Sequence, residues 1–228
     1  MKAKRIFYTE LAYIFGILTL AAGTAMMERA DFGMSMVVAP AYVLHLKISQ
    51  RLPFYSFGMS EYVLQAVLLV VLSVVMGRFK LGYLFSFVTA VIYGMTLDLC
   101  MLALGAIAWE GMAMRVTFYV LGMIVCALGV ALLFHTYIAP EAYELFVKEL
   151  STRTGRIDLV KTVYDCCSCA VGIALSFAFF GFGHFEGVKA GTILCALVNG
   201  WMIGRISDAL EKGFTFRDGL SLRTLFER

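Results

Sequence analysis

Six apolar runs, each near the roughly 20 residues that a membrane-crossing helix needs, take up most of this chain and leave it one kind of fold. They run over Phe7–Met27, Met59–Met76, Leu81–Leu104, Met114–Tyr137, Leu159–Phe182 and Val188–Leu210. In lipid every backbone amide must find its partner within its own segment, so such runs are helices. With 61% hydrophobic residues, 15% charged residues and a mean hydropathy of +0.85, nothing is left over for a separate soluble domain. The first run is long and lacks a small-residue cleavage site, so it is expected to stay as a span. The sequence predicts an all-α polytopic protein, a single membrane domain over 1–228 with six transmembrane helices.

Two segments break the spanning pattern. Asp31 to Ile48 is apolar but interrupted by Pro40 and flanked by Glu28, Arg29 and Lys47. Ala139 to Leu150 carries Tyr143, Phe146, Val147 and Leu150 on one helical face and Glu141, Glu144 and Lys148 on another, the spacing of an amphipathic helix. Each is expected to be a short re-entrant or interfacial helix.

Basic residues set the orientation. With the N-terminus inside, Lys2, Lys4, Arg5, Arg78, Lys80, Lys148, Arg153, Arg156, Arg205, Lys212, Arg217, Arg223 and Arg228 are cytoplasmic, and only Arg29, Lys47, Arg51, Arg115 and Lys189 fall outside. Both termini are then cytoplasmic.

The order of motifs suggests duplication. Tyr13-x2-Gly16-x6-Gly23 returns as Tyr119-x2-Gly122-x6-Gly129, and Ala39-Pro40-Ala41-Tyr42 as Ala139-Pro140-Glu141-Ala142-Tyr143. The third span of each half has a glycine four residues before an aspartate, Gly94 to Asp98 and Gly204 to Asp208. Three spans per copy force the second copy to insert upside down. The expected plan is an inverted 3+3 repeat, with repeat one over 7–104, repeat two over 114–210 and a cytoplasmic tail over 211–228. Many secondary transporters share it, with sites between the repeats.

Lys161 and Asp165 lie one turn apart inside an apolar run. A charge there costs about 2.5–3.5 kcal/mol at mid-membrane on insertion scales, so such residues pair or work. Lys161 is close enough to the cytoplasmic end to snorkel. Pro140 suits the first turn of a helix, whose positive dipole end would sit near Glu141. Glu141, Lys161 and Asp165 are the expected polar site, with Tyr143, Asn199, Pro140 and Pro40 around it; Asn199 is the only asparagine in the chain. A purely structural ion pair is the alternative reading of Lys161 and Asp165. Asp98 and Asp208 are expected to cap helix ends or gate opposite faces. Gly187, Gly191, Gly200 and Gly204 read as small residues for close packing. Cys100, Cys126, Cys166, Cys167, Cys169 and Cys195 all fall in apolar runs, where free cysteine is usually just buried. Cys166-Cys167-x-Cys169 lacks the paired spacing of a zinc site, and His45, His135 and His184 are scattered, so neither a metal nor a cofactor is expected.

Ala30-Asp31-Phe32-Gly33-Met34-Ser35, Ala41-Tyr42-Val43-Leu44, Ser56-Phe57-Gly58, Val160-Lys161-x3-Asp165 and Gly191-Thr192 together resemble the YczE/YitT-like small integral membrane proteins of bacteria. Pro140-Glu141 departs from that pattern by lacking an intervening glycine. The resemblance implies a polytopic fold in the bacterial inner (plasma) membrane; that family is discussed as transporters or as membrane proteins of unknown role, so the resemblance bears on the fold more than on the function.

The expected function is small-solute transport by alternating access, with Lys161 taking an anionic or zwitterionic group and a carboxylate coupling a proton. The alternative is a non-transporting accessory or scaffold protein. The chain has no Gly-x4-Gly-Lys-Ser/Thr loop, no His-Glu-x2-His and no Gly-x-Ser-x-Gly, so it is not read as an enzyme. Its expected partners are a small-molecule substrate, the lipid bilayer and a second copy in a homodimer; topology accounts for the basic residues, so nucleic acid is not among them.

Overall fold

The computed structural model describes residues 4–33, 35–77, 79, 82–105, 111–155, 157–181 and 189–220. Lys2, Met34, Arg78, Lys80, Arg156, His184, Gly187, Arg223 and Arg228 lie outside them. The elements run β1 (Arg5–Tyr8), α1 (Thr9–Ala30), α2 (Ala39–Ser49), α3 (Phe57–Met76), α4 (Gly82–Gly105), α5 (Met112–Phe134), α6 (Ala142–Thr154), α7 (Ile157–Phe180), α8 (Ala190–Gly213) and β2 (Phe214–Arg217). Among the described residues, α1, α3, α4, α5, α7 and α8 are long and apolar enough to cross a membrane. The chain is a multi-pass membrane protein. Val63, Val67, Val70 and Val74 stand exposed along one stripe of α3, which suits a lipid neighbour.

α1 and α5 cross antiparallel at the centre, backbone against backbone. A Cβ on Gly23 would lie 2.6 Å from Cys126 N and 2.7 Å from Gly122 O. One on Gly129 would lie 2.7 Å from Leu20 N and 2.8 Å from Gly16 O. Small residues let helices approach this closely in lipid, where dispersion rather than water exclusion drives association.

The other helices pack around this seam in matching pairs: α4 on α1 and α8 on α5, α3 on α4 and α7 on α8, α2 on α3 and α6 on α7. Besides the seam, α2 on α7, α6 on α3 and α6 on α4 cross between halves. Burial follows the same registers. Positions 61, 65, 69, 72 and 76 of α3 and 161, 165, 169, 172 and 176 of α7 are buried. Ser86, Thr89, Ala90, Tyr93 and Leu97 of α4 match Thr192, Cys195, Ala196, Asn199 and Ile203 of α8. That register sets Asp98 opposite Gly204, one turn away from the Asp98–Asp208 match drawn from sequence.

Three local readings are corrected. First, Glu144, set with Lys148 on the polar face of an amphipathic α6, turns inward instead: it is buried, as are Glu141, Tyr143, Leu145 and Val147. Second, the run expected to start a helix at Phe7 begins with a strand, and the segment after Gly213 is not a free tail at its start. β1 pairs in parallel with β2, Arg5 opposite Phe214, and Phe7 meets Phe214 and Phe216 edge-on at 5.5 and 5.8 Å. Glu10 then accepts from the amides of Gly219 and Leu220 and from the Tyr137 hydroxyl. Third, Cys166 and Cys167 are exposed on α7 rather than buried; Cys126, Cys169 and Cys195 are buried.

Candidate functional site

The site is built on the start of α6. Pro140 precedes the helix and Glu141 is its N-cap, so the proline is not the first helical residue. The Ala139 and Pro140 carbonyls accept from Thr89 Oγ1 (2.8 Å) and Ser86 Oγ (2.5 Å) of α4. The first helical amide, Ala142 N, donates to Gln65 Oε1 of α3 at 3.0 Å. Gln65 Oε1 therefore takes the first helical amide at the positive end of α6, beside Glu141. α3 and α4 hold this turn rigidly, and it delivers Glu141, Tyr143 and Glu144 into the interior.

Each of these meets a neighbour. The Tyr143 hydroxyl donates to Glu61 Oε2 of α3 in a short hydrogen bond. Lys161 Nζ of α7 donates to Glu144 Oε1 at 2.7 Å and stands 3.2 Å from Asp165 Oδ1, one turn along. Asn199 of α8 lies beside Asp165. Lys161 is 2% exposed, so it does not snorkel; its charge is met inside the protein. Glu61, Glu141, Glu144 and Asp165 are each at most 3% exposed. Four buried carboxyls thus face one buried ammonium.

A closed cavity of about 20 Å³ sits among them, room for a single water. Its lining includes Glu141, Glu144, Lys161, Tyr143, Tyr93, Asn199 and Thr24. Burial pushes the Glu141 carboxyl well above the usual carboxylate range; the charges of Glu61 and Glu144 add to this and Lys161 opposes it. At the end of the bundle that carries β1 and β2, two clefts approach the cavity. One, of about 510 Å³, is lined by Pro140, Ala139, Tyr137 and Phe216. The other, of about 400 Å³, is lined by His135, Ser207, Asp208, Glu211 and Lys161. Lys161 borders both this second cleft and the cavity.

At the opposite end the α1–α2 turn is fastened down. Asp31, at φ 62°, pairs with Arg115 at 3.1 Å and with Lys189 through a short contact. Arg115 Nε also donates to the Ala30 carbonyl at 2.9 Å, and the Gly191 amide to that of Phe32 at 3.0 Å.

The structure therefore gathers Lys161, Asp165, Asn199, Glu141 and Tyr143, and pairs Lys161 with Glu144 and Asp165 rather than with Glu141. Pro140 lines a cleft and Pro40 is buried in the first turn of α2, so neither lines the cavity. Asp98 lies well inside α4 and meets the start of α3: it accepts from Ser56 Oγ at 3.0 Å and from the Gly58 amide at 3.2 Å. Asp208 is exposed on α8. Sequence reasoning missed Glu61, Gln65 and Glu144. A signal was there, since Glu61-x3-Gln65 sits in its span as Lys161-x3-Asp165 does in its own.

A model of a family of unknown function, DUF6198, matches residues 7–208. The chain belongs to the DUF6198 family. All five ionisable groups of the site lie within the matched span. Comparison with curated proteins and with solved structures gives no match. The DUF6198 match carries no link to the YczE/YitT-like proteins, and that resemblance stands on the motifs alone.

Proposed function

We propose that this DUF6198 protein is a proton-coupled small-solute transporter of the bacterial inner membrane that works by alternating access between two inverted repeats. The observation that carries the reading is the excess of buried carboxyls over ammonium around a closed cavity. An ionised carboxylate is expensive at such depth, so each must hold a proton, a cation or a hydrogen-bond donor. Groups that have to exchange a proton to stay buried are suited to couple a solute to a proton gradient. The shared burial registers of α3 with α7 and α4 with α8, with antiparallel α1 and α5, support the inverted repeat. Open clefts at one end and an ionic fastening at the other are the asymmetry that one half of an alternating-access cycle requires. The positive-inside count puts both termini, and so the clefts, on the cytoplasmic side. The YczE/YitT-like motifs agree with a place in the bacterial inner membrane.

The test is flux in proteoliposomes with a trapped pH-sensitive dye, screened against amino acids, nucleobases, organic acids and small cations. The expected result is proton movement driven by one solute class, lost in Glu141→Gln. Folded wild type that moves neither protons nor any solute overturns the proposal. The near-absence of free volume in the core favours a second reading, a non-transporting accessory protein. It predicts no flux at all and a Lys161→Ala variant whose only defect is early melting.

A further inference from the structure

Four acidic residues in a core do not by themselves name a ligand, but their unfilled atoms narrow it. Glu141 Oε1, Glu144 Oε2 and Glu61 Oε1 are buried and have no hydrogen-bond partner among the described residues. Glu141 and Glu144 line the closed cavity. An ionised carboxylate only accepts hydrogen bonds. Gln65 Nε2, also buried and without a partner among the described residues, is a donor beside Glu61 and Glu141, but a neutral one. What these carboxyls lack is positive charge, since the Lys161 ammonium meets only Glu144 and Asp165. A carboxylate or phosphate ligand would bring more acceptors and more negative charge. Nor are these oxygens gathered for a metal: among the described residues no three His, Cys, Asp or Glu side chains converge for one.

The protein already displays the fitting chemistry on its own side chain. The Lys161 ammonium is bound by Glu144 at 2.7 Å and Asp165 at 3.2 Å, and lies 5.9 Å from the centre of the Tyr164 ring. Tyrosine faces favour a cation over a neutral group. Lys161 also forms part of the wall of the 400 Å³ cleft, whose outer lining carries Asp208 and Glu211. Acidic side chains at a mouth raise the local concentration of cations.

We propose that Lys161 is a tethered ammonium holding the Glu144 place while the site is empty, and that a small protonated amine takes that place when the Lys161 head group moves off Glu144, donating to Glu144 and, across the adjoining cavity, to Glu141. This deepens the transport reading and rests on it for its meaning, yet binding can be measured without flux. The amine enters from the cleft, Lys161 yields Glu144 and stays on Asp165, and Glu141 takes a second N–H.

The experiment is a thermal-shift titration of purified full-length protein with methylammonium chloride, against sodium chloride and sodium acetate at matched ionic strength. A ligand that binds only the folded form raises the melting point as its concentration grows. Methylammonium alone is expected to do so, with apparent affinity weakened about tenfold or more in Glu141→Gln by loss of a charge-assisted hydrogen bond. A second readout uses wild type only, so it stands if that variant does not fold. A hydrophobic carbodiimide adds to buried protonated carboxyls, and methylammonium is expected to protect Glu141 from it, read by peptide mass. No shift and no protection overturns the proposal. An equal shift with sodium overturns it in favour of an alkali-ion site, and a shift with acetate reverses its sign. Amine binding without amine-driven flux would sink the transport reading and leave the site standing. Flux of another solute class without amine binding would do the opposite.

Discussion

Lys161→Met tests the core of the site most directly. Methionine keeps the length and volume of the side chain and removes the charge. Lys161 Nζ lies 2.7 Å from Glu144 Oε1 and 3.2 Å from Asp165 Oδ1, and all three side chains are nearly inaccessible. Removing one partner of a buried ion pair costs about 3–5 kcal/mol, because the charge left behind has no compensation. Here two carboxyls are left facing each other, and protonating one of them relieves the repulsion but not the lost hydrogen bonds. In a chain of this size each kcal/mol moves the melting point by about 2–4 °C, so a fall on the order of 10 °C is expected at neutral pH. The assay is thermal unfolding in detergent, followed by the fraction still monodisperse after heating. Adding Glu144→Gln to Lys161→Met should recover much of the loss, since the pair is coupled and a neutral amide needs no ammonium. A Lys161→Met protein that melts with wild type refutes the claim that this ammonium stabilises the core. Single-variant losses that simply add in the double variant refute the coupling.

Three further outcomes are expected. Gly23→Ala should cost about 1–3 kcal/mol by overpacking, because its Cβ would meet the Cys126 backbone at 2.6 Å; Gly204→Ala, with nothing within 4 Å, should be neutral or slightly stabilising, both read as melting points. Asp98→Ala should lower stability by about 1 kcal/mol through loss of its bonds to Ser56 and the Gly58 amide, whereas Asp208→Ala at an exposed position should stay within about 0.5 kcal/mol of wild type. The Glu141 carboxyl binds its proton more tightly folded than unfolded, so its contribution to stability is full below the ordinary value of 4.5 and is lost as pH rises toward the folded value. Melting points taken across pH should therefore fall more steeply with rising pH in wild type than in Glu141→Gln, and parallel curves would refute the shift.

The spans were legible because lipid allows apolar chain so few forms. Their ends were less so: α5 stops at Phe134, not Tyr137, since the chain must turn there to bring Ala139 and Pro140 under Ser86 and Thr89. The β1–β2 pair left no local trace. Arg5-Ile6-Phe7-Tyr8 reads as the edge of an apolar run, and its partner lies at the far end of the chain, beyond the reach of any periodicity argument.

The site was half legible, and the missing half follows one rule. Lys161 and Asp165 stood out because two opposite charges one turn apart in an apolar run invite a physical account. Glu61 did not, because a lone acid near the start of a span looks like an interfacial charge. Glu144 was assigned to a polar face because amphipathic spacing is usually read against water on one side. In a bundle bounded by lipid, the polar side of a short helix can instead turn to the protein interior, and α6 does so. The buried i, i+4 positions of α3 and α7 then receive it from two directions: Gln65 and Glu61 take its first amide and Tyr143, and Lys161 takes Glu144. The same packing register thus carries an acceptor pair on one side and a donor on the other. That difference in chemistry, at positions packing treats alike, is what fixes α6 between the two halves.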